Sequence, residues 1–349
     1  DDGPTTIRGW RWWYMGMCLA EVGQNRVARE YFNELSTELS QQWDGNARQL
    51  IWQSELADLL AIPLETDGLT SRTPLPSHAY ELGRGPRVLV DAGHDNLHTC
   101  ATGYCTFATT IRADGYQVAD LDAKTTPERL AQCDVLVIVN ARFNPETIKP
   151  DQTNFQAIGS AYTDEEIETI KQWVHDGGSL LLVADSGSNG LPSKSLAASL
   201  GIEMPAGVVP AADEQRRHFF SRADGQLGVH PITDGRETPE RIDRVATFIG
   251  QAFRASEDYI ALLTFGKGAE QFVSLESRAS GVAGETAEGW LQGAAAELGR
   301  GRVAVFGEAA MFTTQYSARR NKAIGLHGDS AKQNEQFLLN VMRWLSHAL

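Results

Sequence analysis

Four short apolar runs, each closing on a polar side chain, constrain this chain more than any other feature. They read RVLVD at 87–91, DVLVIVN at 134–140, SLLLVAD at 179–185 and RVAVFGE at 302–308. Runs of this kind, rich in branched apolar residues, suit strands buried on both faces, as in a parallel sheet. Parallel strands bring their C-terminal ends to one edge. Ligands of open α/β sheets sit in the crevice outside that edge. Asp91, Asn140, Asp185 and Glu308 are therefore expected to converge although they lie far apart in the sequence.

Helical patterns separate these runs. A helix is expected near 104–114, a strand over 116–121 and a helix over 127–132. The clearest helix covers 164–176, with Thr163 as N-cap and Glu166 completing a capping box. Ile167, Ile170, Trp173 and Val174 form its buried stripe, and Gly177 and Gly178 stop it. Another helix follows over 193–200. This βαβα order implies a doubly wound parallel sheet. From 202 to 298 the pattern changes to short strands, at 218–222, 244–250, 259–265 and 271–275, between glycine-rich turns. That stretch reads as an antiparallel insertion. A helix over 334–349, with Phe337, Leu338, Val341, Met342 and Leu345 on one face, closes the α/β domain, which spans 87–349.

Residues 1–61 read as helices. Trp12, Met15, Gly16 and Leu19, then Ala28 and Phe32, follow the spacing of one tetratricopeptide unit. One such unit cannot bury its own faces, so a protein partner is expected to use these helices, or the unit packs on the main domain. A plain helical hairpin is the alternative. Residues 62–86, rich in proline and glycine, form a linker.

The net charge of −14, with no basic stripe to offset it, argues against nucleic acid. No apolar run approaches the length that spans a bilayer. Of the four cysteines, Cys133 adjoins a buried strand and is expected to be a small free hydrophobe, and Cys18 to pack a helix. Cys100 and Cys105 are close enough in sequence to bond if the protein is exported. Counting alone does not fix the redox compartment.

Three groups of residues suit chemistry. The loop after the first strand carries Asp91, His94, Asn96 and His98. On a helical turn His94 and His98 would share a face and chelate a divalent metal, with Asp185 supplying an oxygen. Alternatively the two histidines fix the loop through hydrogen bonds. The turn Asp185–Ser186 stands where an α/β enzyme would place an elbow nucleophile. Finally, His230, Gln251, Gln292 and Gln315 are hydrogen-bonding groups suited to a small polar ligand, and Glu308 is the strongest carboxylate candidate outside the first loop. His230 could equally anchor a rigid turn. Asp91, His94, His98, Asp185 and Glu308 are expected to line one cleft, with His230 or Gln292 reaching it from the insertion.

Residues 85–349 also carry an ordered set of motifs: GPRVLVD at 85–91, His94-x-Asn96-x-His98-Thr99, GGSLLLVAD at 177–185, HPIT at 230–233, GQAF at 250–253, GWLQG at 289–293, GEAAMF at 307–312 and NxQFLLN at 334–340. The set resembles the DUF4350-type proteins, bacterial relatives of the class I glutamine amidotransferase-like fold. The resemblance implies a flavodoxin-like sheet and a periplasmic or secreted protein, with the cytoplasm as the alternative. It brings no reaction. Amidotransferases of this fold carry a cysteine at the elbow, where this chain has Ser186, so glutamine hydrolysis is not expected. Two functional readings follow. The first is a ligand- or protein-binding module with a polar cleft at the C-terminal sheet edge. The second is a metal-assisted hydrolase whose catalytic candidates are Asp91, His94, Asp185, Ser186 and Glu308.

Overall fold

The computed structural model describes residues 78–96, 98–100, 103–142, 159–210, 217–317, 322–326, 328 and 330–349. The helical segment expected over 1–61, and most of the linker, lie outside these residues. The central sheet contains β1 (Arg87–Asp91), β2 (Gln117–Leu121), β3 (Val135–Val139), β4 (Ser179–Val183), β5 (Ile260–Thr264), β6 (Leu291–Leu298) and β7 (Gly301–Phe306). Helices are α1 (Cys105–Ala113), α2 (Pro127–Leu130), α3 (Asp164–His175), α4 (Lys194–Ser199), α5 (Pro231–Asp234), α6 (Leu275–Ala279) and α7 (Asn334–Leu345).

The strand order is β2-β1-β3-β4-β7-β6-β5. The first five strands run parallel, in the registers Val88↔Val135, Val135↔Ser179 and Arg302↔Ser179. The four runs that opened the sequence reading are thus adjacent and parallel. The fold is mixed α/β with a mostly parallel sheet. Strand β3 shows why a run without alternation marks the sheet centre. Val135, Val137 and Val139 face one core, with Phe107 and Ile111 of α1 and Phe337, Leu338 and Val341 of α7. Leu136 and Ile138 face the other, with Ile167 and Ile170 of α3 and Leu196 of α4. Each such side chain contributes about 1.5–3 kcal/mol by leaving water. Helix α3 begins with the expected capping box: Thr163 accepts from the Glu166 amide, and the Glu166 carboxylate accepts from the Thr163 amide.

The region 202–298 supplies the antiparallel part of the fold. Its strands β5 and β6 join the central sheet, with β6 antiparallel to β7 and β5 antiparallel to β6. The remainder forms two-stranded ribbons, His218–Ser221 with Arg244–Thr247 among them. The strand expected over 271–275 stops at Gln271, because Ser274 caps α6 with its side chain. Cys105 is disulfide-bonded, but Cys100 is free, so the expected Cys100–Cys105 bond does not form. The Cys100 amide donates to Asp120 of β2 at 2.7 Å, and its thiol also engages that carboxylate. Cys133 is free and buried, as expected.

Charge enters the core once more, away from the sheet edge. The Arg343 guanidinium donates to both oxygens of Asp114, at 2.7 and 2.9 Å, and to Glu240 at 2.8 Å. It ties α7 to the end of α1, and the pairing is what makes so buried a cation tolerable. Among the described residues no helix is long and apolar enough to cross a membrane.

Candidate functional site

The residues singled out at the strand ends form two neighbouring clusters rather than one. The first is built on the loop after β1. Both Asp91 oxygens lie 2.9 Å from His94 Nδ1, and Glu166 Oε1 lies 2.9 Å from Nε2. The Tyr162 hydroxyl donates to Asp91 Oδ2 at 2.6 Å, and the Asn96 amide donates to the same oxygen at 3.2 Å. Every member is buried. A ring held between two carboxylates binds both with protons on both nitrogens. Burial alone would drive the proton off, but the bonds to Asp91 and Glu166 outweigh it and raise the His94 pKa to about 9. Burial opposes the ionised Glu166 as well, yet bonds from His94 and Thr163 hold its pKa down at about 2. This cluster clamps the β1 loop to the start of α3.

The second cluster sits at the ends of β4 and β7. The Asp185 carboxylate accepts from the Ser186 amide at 2.6 Å and from the Ala309 amide at 3.3 Å. Glu308 accepts from the next two amides of the same turn, Ala310 and Met311, each at 2.8 Å. Two carboxyl groups therefore share one turn. Asp185 is partly open and Glu308 lies buried beneath it. Burial raises the Asp185 pKa to about 6. Burial and then the Asp185 charge push Glu308 well above the ordinary carboxylate range. Among the described residues no cation faces either group; the donors are backbone amides, those of Ser186, Ala309, Ala310 and Met311 among them.

Asn140 ties His98, on the loop after β1, to the second cluster. Its amide bridges His98 Nδ1 at 3.2 Å and accepts from the Asp185 amide at 2.8 Å. Its backbone is left-handed at φ 46°, a conformation that asparagine tolerates better than most residues. Fully buried, His98 packs edge-on against Tyr104, and burial lowers its pKa to about 3, so the ring is neutral. The Tyr104 hydroxyl donates to the Ala309 carbonyl at 3.0 Å, on the turn that holds both carboxyl groups. Gly307 has no side chain because the Gln251 carbonyl lies 2.3 Å from where a Cβ would stand.

The remaining candidates are placed as follows. The Gln251 amide donates to the carbonyls of Ala184 and Asp185 and accepts from Ala206, so it supports the Asp185 turn from below. Buried Gln292 accepts from Thr247 at 2.7 Å. Gln315 pairs through its backbone with Ile324. His230 does not reach the cleft. It caps α5 and packs edge-on against Trp344, near Arg302 at the start of β7. His94, His98 and Asp185 are not brought together as ligands: both His94 nitrogens are taken up by carboxylates, and among the described residues no group of three or more His, Cys, Asp and Glu side chains is arranged to hold a metal ion. Sequence reasoning missed Tyr162, and it recognised Glu166 as a cap but not as the His94 partner. The capping box was the visible signal; the second use of its carboxylate was not.

No family model matches the chain, and no curated protein matches it. Among solved structures, the mmIFT52 N-terminal domain aligns at TM-score 0.51 and 16% identity, over 74% of this chain and 97% of that domain. A cytoplasmic protein of Salmonella typhimurium LT2 aligns at TM-score 0.44 and 15% identity, covering 75% and 98% of the two chains. A thua-like protein of Bacteroides uniformis aligns at 0.42 and 12%, covering 78% and 95%. The first of these likenesses is one of fold.

Proposed function

We propose that this chain is a ligand-binding module on an amidotransferase-like fold, taking a small polar molecule at the sheet edge where Asp185 and Glu308 meet. One observation carries the reading: two carboxyl groups from separate strands share one turn, with no cation facing them among the described residues. Such a pair gains by meeting a ligand that brings hydroxyl or ammonium donors. Asp185 is the member open to it. The strand order 2-1-3-4 in the parallel part supports a flavodoxin-like sheet. The ordered motifs from 85 to 340 support the DUF4350-type resemblance, and with it the periplasmic or secreted assignment. The spacing within 1–61 supports a protein partner at those helices.

Thermal unfolding with glucose and glucosamine tests the site. A ligand that binds only the folded state raises the midpoint with concentration. Stabilisation by either sugar that disappears in Asp185→Ala supports the reading. No shift with either sugar, or a shift that survives the substitution, counts against it.

A second reading, hydrolysis, is favoured by one juxtaposition: Ser186 follows Asp185 directly at the end of β4, and its amide donates to the Asp185 carboxyl at 2.6 Å. A carboxylate of raised pKa beside a hydroxyl suits general-base chemistry. Metal analysis of the purified protein, with an ester-hydrolysis assay before and after chelation, separates the two. Stoichiometric zinc, manganese or iron with chelator-sensitive turnover favours the metal-assisted hydrolase.

A further inference from the structure

On the reading of Asp185 as the ligand contact, we propose that Tyr104 is its positioning residue: the phenol fixes the turn 309–311, whose amides hold both carboxyl groups. Tyr104 is fully buried, so it meets no ligand and acts only through its neighbours. Its hydroxyl donates to the Ala309 carbonyl at 3.0 Å. The amide of that same residue donates to Asp185 Oδ2 at 3.3 Å. Ala310 and Met311 then donate to Glu308. The Ala309 carbonyl also accepts from the Phe312 amide at 3.2 Å, but that bond lies within the turn and does not anchor it.

These contacts close into a ring that starts and ends on Asp185. The Asp185 amide donates to Asn140 at 2.8 Å, and the Asn140 amide meets His98 Nδ1 at 3.2 Å. The His98 ring packs edge-on against Tyr104, with centroids 5.1 Å apart. From Tyr104 the path returns through Ala309 to the Asp185 carboxylate. A parallel bond runs from the Thr313 hydroxyl to the Gly103 carbonyl. Residues 103–104 and 309–313 are thereby held together at two points. Burial first, and then the Glu308 and Asp185 charges, hold the phenol well above its ordinary range, so it remains a donor. The position matters because the Ala309–Asp185 bond is already just past the usual span of about 2.7–3.2 Å. Binding groups need placement to within about 0.5 Å, and a drift of that size in the turn would break the bond.

The test compares Tyr104→Phe with Tyr116→Phe. Both keep the ring and lose a buried hydroxyl, but Tyr116 bonds Ser346, at 2.8 Å, beyond the opposite edge of the sheet. In proton–nitrogen spectra of the full chain without ligand, Tyr104→Phe should move the Ala309 amide proton to higher field as its bond to Asp185 loosens. Tyr116→Phe should leave it in place. Glucosamine, titrated calorimetrically, should bind about fivefold more weakly to Tyr104→Phe, the scale of one lost hydrogen bond, and equally well to Tyr116→Phe. A fixed Ala309 resonance in Tyr104→Phe, the same displacement in both variants, or a displaced resonance with undiminished glucosamine affinity overturns the proposal. A wild type that does not bind glucosamine overturns the ligand reading instead, and the Ala309 resonance then decides by itself whether Tyr104 positions the turn.

Discussion

The Asp91–His94–Glu166 clamp and the Asp185–Glu308 pair occupy the same sheet edge, yet they resolve buried charge in opposite ways. In the clamp two carboxylates flank one imidazolium, Tyr162 and Asn96 donate to Asp91, and Thr163 and Thr125 donate to Glu166. The His94 and Glu166 pKa values are displaced so as to keep both groups charged. In the pair, two acids meet without a cation, and both pKa values are displaced toward the neutral form. A satisfied network of this kind rigidifies a fold. An arrangement in which like charges are held together is costly for the fold and characteristic of functional sites. Counting ionisable groups does not separate the two cases; the direction of their displacement does.

The sharpest way to break the contrast is His94→Ala. Removing the ring leaves two buried carboxylates facing each other, a change of the class that costs about 3–5 kcal/mol. Urea denaturation should show that loss. A variant of wild-type stability would mean that the clamp is not structural. Next in size is Asn140→Gly, which keeps the left-handed backbone but removes the bridge between His98 and the Asp185 amide. Leaving those buried groups unpaired costs about 1–3 kcal/mol, measured in the same way.

The pH dependence sharpens the comparison. His94 has a folded pKa above its unfolded value, so its contribution is full below 6.5 and is lost as pH rises through about 9. Glu166 is depressed, so its contribution is full above 4.5 and is lost as pH falls toward about 2. The clamp therefore supports the fold most between those two unfolded values. Asp185 is raised, so its contribution is full below 3.8 and is lost as pH rises through about 6. Asp185→Asn should accordingly gain on the wild type as pH climbs from 5 to 8, by on the order of 1 kcal/mol. Parallel stability curves for the two proteins over that range would dismiss the strained-pair account. In His94→Ala the fall in stability toward alkaline pH should flatten instead.

The parallel half of the fold was legible because burial on both faces leaves an unbroken apolar run, as in VLVIV at 135–139. The start of α3 was legible because a capping box is local. Strand β6 was not. Its LQGAAAEL sequence has low strand propensity, and Gly293 is needed because a Cβ there would stand 2.7 Å from the Phe306 ring, a contact set by β7. The convergence of Asp91, Asn140, Asp185 and Glu308 on one sheet edge followed from sequence alone, since parallel pairing of the four strands fixes which ends they present. What each group does there was decided by the tertiary structure. Whether His94 is a ligand or a clamp depends on Glu166 and Tyr162, more than sixty residues away. Whether Asp185 stays charged depends on its burial and on the amides of Ser186 and Ala309. Spacing along the chain encodes neither, because a side chain's charge state is set by the groups that surround it in space.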